Sequence, residues 1–285
     1  MGVIRFDDER DRNVAVLFAV NVIIMLAGAL LDFFGAARQH VDMMGMLVCY
    51  VSLFLFLAHG RRVLGLGRLF VFLFIGAAVG FGFEFFGVRT GTVFGGHYTY
   101  NEEHYKNLMV LGMPIGVPVF WAVFEYIGYC ITNSFLRWLR RDKPSRAAGN
   151  RRLIPLLVVL DGMIVMAFDM FMDPLVVRRG AWTWSVEGPF FGVPIGNFVG
   201  WFSLTVMSTT PFRLFEYFRP KPSPGDDDFV HLMPALGYGL MCVFFTVHAA
   251  RIGMSALALT GFGVMVPFAL VNVICFFNRK PRAVQ

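Results

Sequence analysis

The chain has 285 residues, 57% of them hydrophobic and only 15% charged, with a net charge of +6 and a mean hydropathy of +0.63. Soluble proteins average about 45–50% apolar and 25% charged residues, so a water-facing globule, a disordered chain and a disulfide scaffold all fit poorly. Its 33 Phe and 16 Met exceed what one soluble domain could bury, and a polytopic membrane protein is expected.

A spanning helix needs about 20 mainly apolar residues. In chain order such stretches cover 14–31, 41–58, 69–87, 108–131, 153–177, 189–207, 229–250 and 255–277. Runs this long and this rich in Leu, Phe, Val and Met read as helices. The expected fold is therefore all-α, a single transmembrane domain over 1–285 with about eight transmembrane helices. Short tails at 1–13 and 278–285 flank it. The first stretch is too long, and lacks the small-residue cleavage site, for a removed signal peptide, so it reads as an uncleaved anchor.

Nineteen of the 25 Lys and Arg residues lie at the two termini and in 60–68, 134–152 and 211–228. The alternate connections hold Arg38, Arg89, Lys106, Arg178, Arg179 and Arg251. This bias places both termini in the cytoplasm, in the inner (plasma) membrane. The basic balance thus reports insertion, and no nucleic-acid partner is expected. Cys49, Cys130, Cys242 and Cys275 lie singly in apolar runs and read as small buried hydrophobes.

Ionisable groups inside spans are costly and mark function by default. The third span carries Glu84, the fourth Glu125, and the fifth Asp161, Asp169 and Asp173. Glu84, Asp169 and Asp173 fall near the outer ends of their spans. Asp161, near the inner end, reads as an interfacial residue, and Asp173-Pro174 also reads as a helix stop. Gly76, Gly80, Glu84 and Gly87 share a helix face, where small residues let a neighbouring helix or a flat ligand approach.

Beyond the third span come Arg89 and then Tyr98-Thr99-Tyr100; beyond the fifth come Arg178 and Trp182-Thr183-Trp184. If extended, each triplet puts both its rings on one side. A Gly-Val-Pro opens each return span: Gly116-Val117-Pro118 leads to Trp121, and Gly192-Val193-Pro194 leads to Asn197 and Trp201. Spans 3–4 and 5–6 therefore read as a parallel repeat, with Glu84 and Asp169 as equivalent acids. Interfacial anchoring accounts for some of these rings.

Several membrane chemistries lack their residues. The six His show no HxxHH-type spacing for a di-iron site, and neither a P-loop nor a dinucleotide fingerprint is present. Asp169 and Asp173 resemble half of a magnesium-diphosphate site, but Asp226-Asp227-Asp228 falls in the loop expected on the opposite face. What remains is metal-free acid–base chemistry on a lipophilic substrate. A carboxylic acid buried among apolar groups acts as a general acid, and aromatic faces stabilise a cation. Hydration of an isolated trisubstituted alkene suits that inventory without being singled out by it.

The motifs carry a resemblance. The run from Phe83-Glu84 through Arg89 to His97-Tyr98-Thr99-Tyr100, Asp169-Met170-Phe171-Met172-Asp173-Pro174, Gly180-Ala181-Trp182-Thr183-Trp184, and Phe191-Gly192-Val193-Pro194-Ile195-Gly196-Asn197-Phe198 with Gly200-Trp201 resemble the CruF-type carotenoid 1,2-hydratases. That family includes bisanhydrobacterioruberin hydratase. The resemblance covers a core of about 69–201 and is only hydropathic in the first two and last two spans. It implies a hydro-lyase of carotenoid biosynthesis that adds water to the C1–C2 double bond of an acyclic end group (lycopene, gamma-carotene or C50 type), leaving a tertiary hydroxyl without a cofactor. The implied partners are the carotenoid, water, the bilayer and other enzymes of the pathway. On the residues themselves, Glu84 or Asp169 is the expected proton donor, with Asp173 and Asn197 positioning water. Tyr98, Tyr100, Trp182, Trp184 and Trp201 would wall the cation. Pro118, Trp121 and Glu125 complete the expected substrate surface, and Arg89 would pair with a carboxylate or anchor the protein at the interface. A lipid or ion carrier or channel is the reading from another class, and a carotenoid isomerase is the nearest enzymatic one.

Overall fold

Eight long helices make up the protein in a computed structural model that describes residues 8–105, 108–139, 151–220 and 228–278. They are α1 (Glu9–Phe33), α2 (Arg38–Val63), α3 (Leu66–Thr90), α4 (Val117–Leu139), α5 (Ile154–Arg178), α6 (Ile195–Phe218), α7 (Asp228–Arg251) and α8 (Ser255–Phe277). Four short strands, β1 (Tyr98–Tyr100), β2 (Met109–Val110), β3 (Met113–Pro114) and β4 (Trp182–Trp184), cap one end. Most of both tails, most of the basic loop at 134–152, Lys106 and Asp226-Asp227 lie outside the described residues.

The chain is an all-α polytopic membrane protein. Six helices, α1, α2, α3, α5, α7 and α8, are long and apolar enough to cross a membrane; α4 and α6 have the length but fall short in hydropathy. Much of the polarity of α6 is satisfied within the helix itself. In α6 the hydroxyls of Thr205, Ser208, Thr209 and Thr210 each donate to a carbonyl one turn earlier. Helix α4 packs against α3, α5, α7 and α8, so little of it needs to suit lipid. The cysteines are unpaired, and Cys130 and Cys242 are buried, but Cys49 is exposed on lipid-facing α2.

Three expected boundaries move. Helix α4 begins at Val117 and not near 108, because the apolar run ahead of it folds back as the β2–β3 hairpin, with Leu111 and Gly112 at positive φ. Helix α6 covers Ile195–Phe218 where 189–207 was expected; Phe191 and Gly192 make a similar turn ahead of it. Asp173-Pro174 does not end α5, which runs through Pro174 to Arg178.

Arg213, expected as a loop charge, lies inside α6 and closes a buried bidentate pair with Asp161 of α5. Asp161 is therefore a buried interhelical tie and not an interfacial residue. At the other end of the bundle Asp32 of α1 accepts from His248 Nδ1 (2.7 Å) and from Arg251 on α7, and His248 Nε2 meets Arg179 at 3.0 Å.

Strand β1 pairs antiparallel with β4, Tyr98 opposite Trp184, Thr99 opposite Thr183 and Tyr100 opposite Trp182. Since β1 follows α3 and β4 follows α5, this pairing puts both helix C-termini at one end, and the two helices run parallel. The register is isologous: each residue of one triplet meets the reversed position of the other, as two copies about a local two-fold axis must.

The backbone also sets the true register of the repeat. Helices α3 and α5 are each followed by a left-handed glycine, Gly91 (φ 67°) and Gly180 (φ 74°). Aligning these glycines puts Glu84 on Asp173 and Arg89 on Arg178. The turns at Leu111-Gly112 (φ 55° and 85°) and Phe191-Gly192 (φ 51° and 87°) align likewise. They place Gly112-Met113-Pro114-Ile115-Gly116 on Gly192-Val193-Pro194-Ile195-Gly196 and Trp121 on Trp201. Those two indoles meet with centroids 4.1 Å apart. The expected equivalence of Glu84 with Asp169, and of the two Gly-Val-Pro tripeptides, gives way to this one.

Between apolar helices in lipid, close van der Waals packing drives association. A Cβ on Gly80 of α3 would stand 2.6 Å from Trp121 Cβ on α4. Gly80→Ala is therefore expected to push α3 and α4 apart and destabilise the protein by about 1–3 kcal/mol, read as a lower Tm in detergent; an unchanged Tm would contradict this packing.

Candidate functional site

A cavity of about 180 Å³ lies under the paired strands, where the ends of α3, α4, α5 and α6 converge. Glu84, Tyr98, Tyr100, Trp121, Asp173, Trp182, Trp184, Asn197 and Trp201 line it, together with Phe94, Tyr105, Val117, Phe120, Phe124 and Met172. The two strand triplets supply the roof rings, with Tyr98 and Trp184 at 4.8 Å and Tyr100 and Trp182 at 5.7 Å between centroids. Phe94 stacks parallel to Trp121 at 6.2 Å and closes the side. Its loop comes close because Gly95 holds φ 78° and a Cβ there would stand 2.7 Å from Gly196 Cα.

Two carboxyls at equivalent repeat positions, Glu84 and Asp173, line the same cavity, yet their surroundings differ. Glu84 is cradled by three donors: Tyr98 Oη at 2.6 Å and Tyr100 Oη at 3.0 Å on Oε2, and Trp121 Nε1 at 3.0 Å on Oε1. Indole donates only, and three converging donors make an acceptor's site. Asp173 has another partner set. Asn197 Nδ2 donates to Asp173 Oδ2 at 2.9 Å and to Asp169 Oδ2 at 2.8 Å, so one amide bridges two carboxyls. Asp169 lies behind Asp173, fully buried and off the cavity wall. Asp169 Oδ1 and Trp184 Nε1 are buried without a hydrogen-bond partner among the described residues, and buried polar atoms of this kind are commonly satisfied by water.

The phenols of Tyr98 and Tyr100 stand above the ordinary tyrosine range, chiefly through burial and then through the Glu84 charge. Both remain donors at physiological pH.

Four expected residues stand apart from the cavity lining. Arg89 is exposed and sits over the Phe85 ring, 4.4 Å from its centroid, pairing with no carboxylate among the described residues. Pro118 sits in the first turn of α4, where a missing N–H costs nothing. Glu125 is fully buried one turn below Trp121, against Gly76 of α3. Asp169 stands off the cavity wall, next to Asp173 and Asn197. Phe94, Tyr105, Val117, Phe120, Phe124 and Met172 line the cavity without being expected there from the sequence. Phe124 stands three residues after Trp121 and four after Phe120, a helical spacing legible in the sequence; Tyr105 and Met172 carry no such signal.

Among the described residues no group of three or more His, Cys, Asp and Glu is arranged to hold a metal ion.

Fold and site together define a multi-pass membrane protein with an aromatic cavity that presents carboxyls from two halves of a repeat. The chain matches the family described as carotenoid biosynthesis protein over residues 40–268, and it belongs to that family. That stretch contains the whole cavity. A role in carotenoid biosynthesis follows from this membership. No curated protein and no solved structure matched the chain.

Proposed function

We propose that the protein hydrates the C1–C2 double bond of an acyclic carotenoid end group without a cofactor. The observation that carries this reading is the pairing, across one aromatic cavity, of a carboxyl in a three-donor cradle with a carboxyl bridged to a second one. Asp173, supported by Asp169 through Asn197, donates a proton to C2. The C1–C2 π bond supplies the electrons of the new C–H bond and leaves a tertiary cation at C1. The faces of Trp121, Trp182, Trp184 and Trp201 stabilise that charge. Water attacks C1, and Glu84 takes the proton released as the C–O bond forms. Solvent exchange returns the proton to Asp173, so one water is added and nothing is oxidised or reduced.

This reading moves the donor from Glu84 or Asp169 to Asp173, because Glu84 accepts from three donors and Asp169 does not line the cavity. The reaction needs the cavity to hold only the end group and a water, with the rest of the polyene left outside.

Expression in a bacterium that makes lycopene or gamma-carotene, followed by mass spectrometry of the pigments, tests the proposal. A product one water heavier is expected. Folded protein with both substrates present and no such product overturns it; an altered pigment of unchanged mass points to isomerisation instead. Tyr98→Phe removes the shortest bond to Glu84 and is expected to lower turnover about tenfold. With the tyrosine phenols raised, the wild-type pH profile should show no loss from their ionisation below about pH 10; a falling limb there that Tyr98→Phe abolishes would contradict the assignment.

A further inference from the structure

The β2–β3 hairpin has a surface that the proposed chemistry does not use. From Leu108 to Gly116 no side chain is charged or polar, and Leu108, Val110, Leu111 and Ile115 are exposed by 46–64%. This is not a helix that crosses the membrane. The chain turns at Leu111-Gly112, and the hairpin closes its backbone on itself, with Val110 opposite Met113 and Ile115 N–H donating to Leu108 C=O at 3.0 Å.

Three observations say what covers this surface. The turn lies against the end of α3, with Gly112 beside Val88. One and two turns back on the Val88 face of α3 lie Phe85 and exposed Phe81, stacked at 5.9 Å, so the apolar face of the hairpin continues that of a spanning helix. The equivalent turn of the second repeat also exposes Phe191 and Ile195, but Glu187 precedes it and Phe190 folds inward onto Phe198 at 5.1 Å. Four exposed apolar side chains with no charge among them suit acyl chains and are a liability in water. The open strand edges keep the hairpin out of the hydrocarbon centre, which leaves the boundary between headgroups and acyl chains.

The hairpin also frames the cavity. Tyr105 precedes it, Val117 and Phe120 follow it, and all three line the cavity.

We infer that the β2–β3 hairpin is seated among lipid acyl chains, in the leaflet at the strand-bearing end of the bundle, and forms the lateral entrance through which the end of a lipid-dissolved polyene reaches the cavity. The seating in lipid rests on the fold alone; the role as an entrance rests on the hydratase reading.

Two measurements separate these. A benzophenone amino acid at position 111, irradiated in phosphatidylcholine–phosphatidylglycerol vesicles, is expected to give phospholipid adducts resolved by mass spectrometry of the intact protein. Folded, photoconverted protein without lipid adducts overturns the seating, whatever the enzyme does. In the second measurement, Leu108→Ser/Leu111→Ser is expected to convert polyene dissolved in vesicles about tenfold more slowly than wild type, while matching wild type on the same polyene in detergent micelles. Equal rates in vesicles, or equal losses in both media, overturn the entrance. A wild type inactive in both media fails the hydratase reading and removes the entrance with it, and the lipid adducts then decide the seating alone.

Discussion

Asp173→Asn is expected to yield folded protein whose hydration rate falls at least about 100-fold, the usual contribution of a positioned general acid. Asparagine keeps the shape of the side chain and can still face Asn197, so the helix bundle has little reason to change. What it cannot do is supply a proton to C2. Asp169→Asn should cost less, since Asp173 keeps its carboxyl and its place on the cavity wall. Glu84→Gln sets an amide against donors: Trp121 Nε1, Tyr98 Oη and Tyr100 Oη all converge on its two oxygens, and one NH2 must then face a group that also donates. A loss of both activity and Tm is therefore expected for Glu84→Gln, against a loss of activity alone for Asp173→Asn. Membranes assayed in D2O give the corresponding signature, one non-exchangeable deuterium at C2 of the product. Full activity of Asp173→Asn would overturn its role as donor and leave the cavity without the acid assigned here.

Carboxyls in apolar runs are conspicuous because lipid makes them costly, and for that reason Glu84, Asp169 and Asp173 are legible in the sequence. The aromatic triplets were legible for a similar reason, since alternation of ring and threonine is a strand pattern in a chain otherwise made of helices. Hydropathy had no means of separating the β2–β3 hairpin from α4, because Leu108–Gly116 is as apolar as a span and only the positive φ of Leu111 and Gly112 bends it back. The repeat was visible but slipped. An identical Gly-Val-Pro outweighed the longer, sparser match of Gly112, Pro114, Ile115, Gly116 and Trp121 with Gly192, Pro194, Ile195, Gly196 and Trp201. With that slip, Asp169 took the place of Asp173 as the partner of Glu84. Arg213 was misplaced because Pro211 reads as a loop residue, whereas a proline late in an enclosed helix is tolerated when neighbours satisfy the freed carbonyl.

Breaking the Asp161–Arg213 pair is expected to produce the largest loss of stability in the protein. Arg213 Nε and Nη2 each lie 2.7 Å from an Asp161 oxygen, Nη1 donates to Asn133 Oδ1 at 3.0 Å, and the guanidinium sits 4.7 Å from the Tyr129 ring centroid. Both side chains are almost fully buried. Removing one partner leaves the other charge buried and unpaired, which costs about 3–5 kcal/mol; replacing both by apolar residues of similar volume is often close to neutral. Arg213→Met alone and Asp161→Leu alone should therefore lower Tm strongly, and the double variant should recover most of the loss. The pair also bears on the cavity. At a rise of about 1.5 Å per residue, it lies roughly 12–18 Å along α5 and about 24 Å along α6 from the second polar tie between them, where Asn197 bridges Asp169 and Asp173. An antiparallel pair of helices held at both ends has one register, and that register sets Asn197 opposite its two carboxyls. If the double variant recovers Tm but not activity, the pair orders the site as well as the bundle. If it recovers both, lipid-like packing alone holds α5 and α6 in line. Single variants as stable as wild type would mean that the charges are not isolated from water as the structure has them.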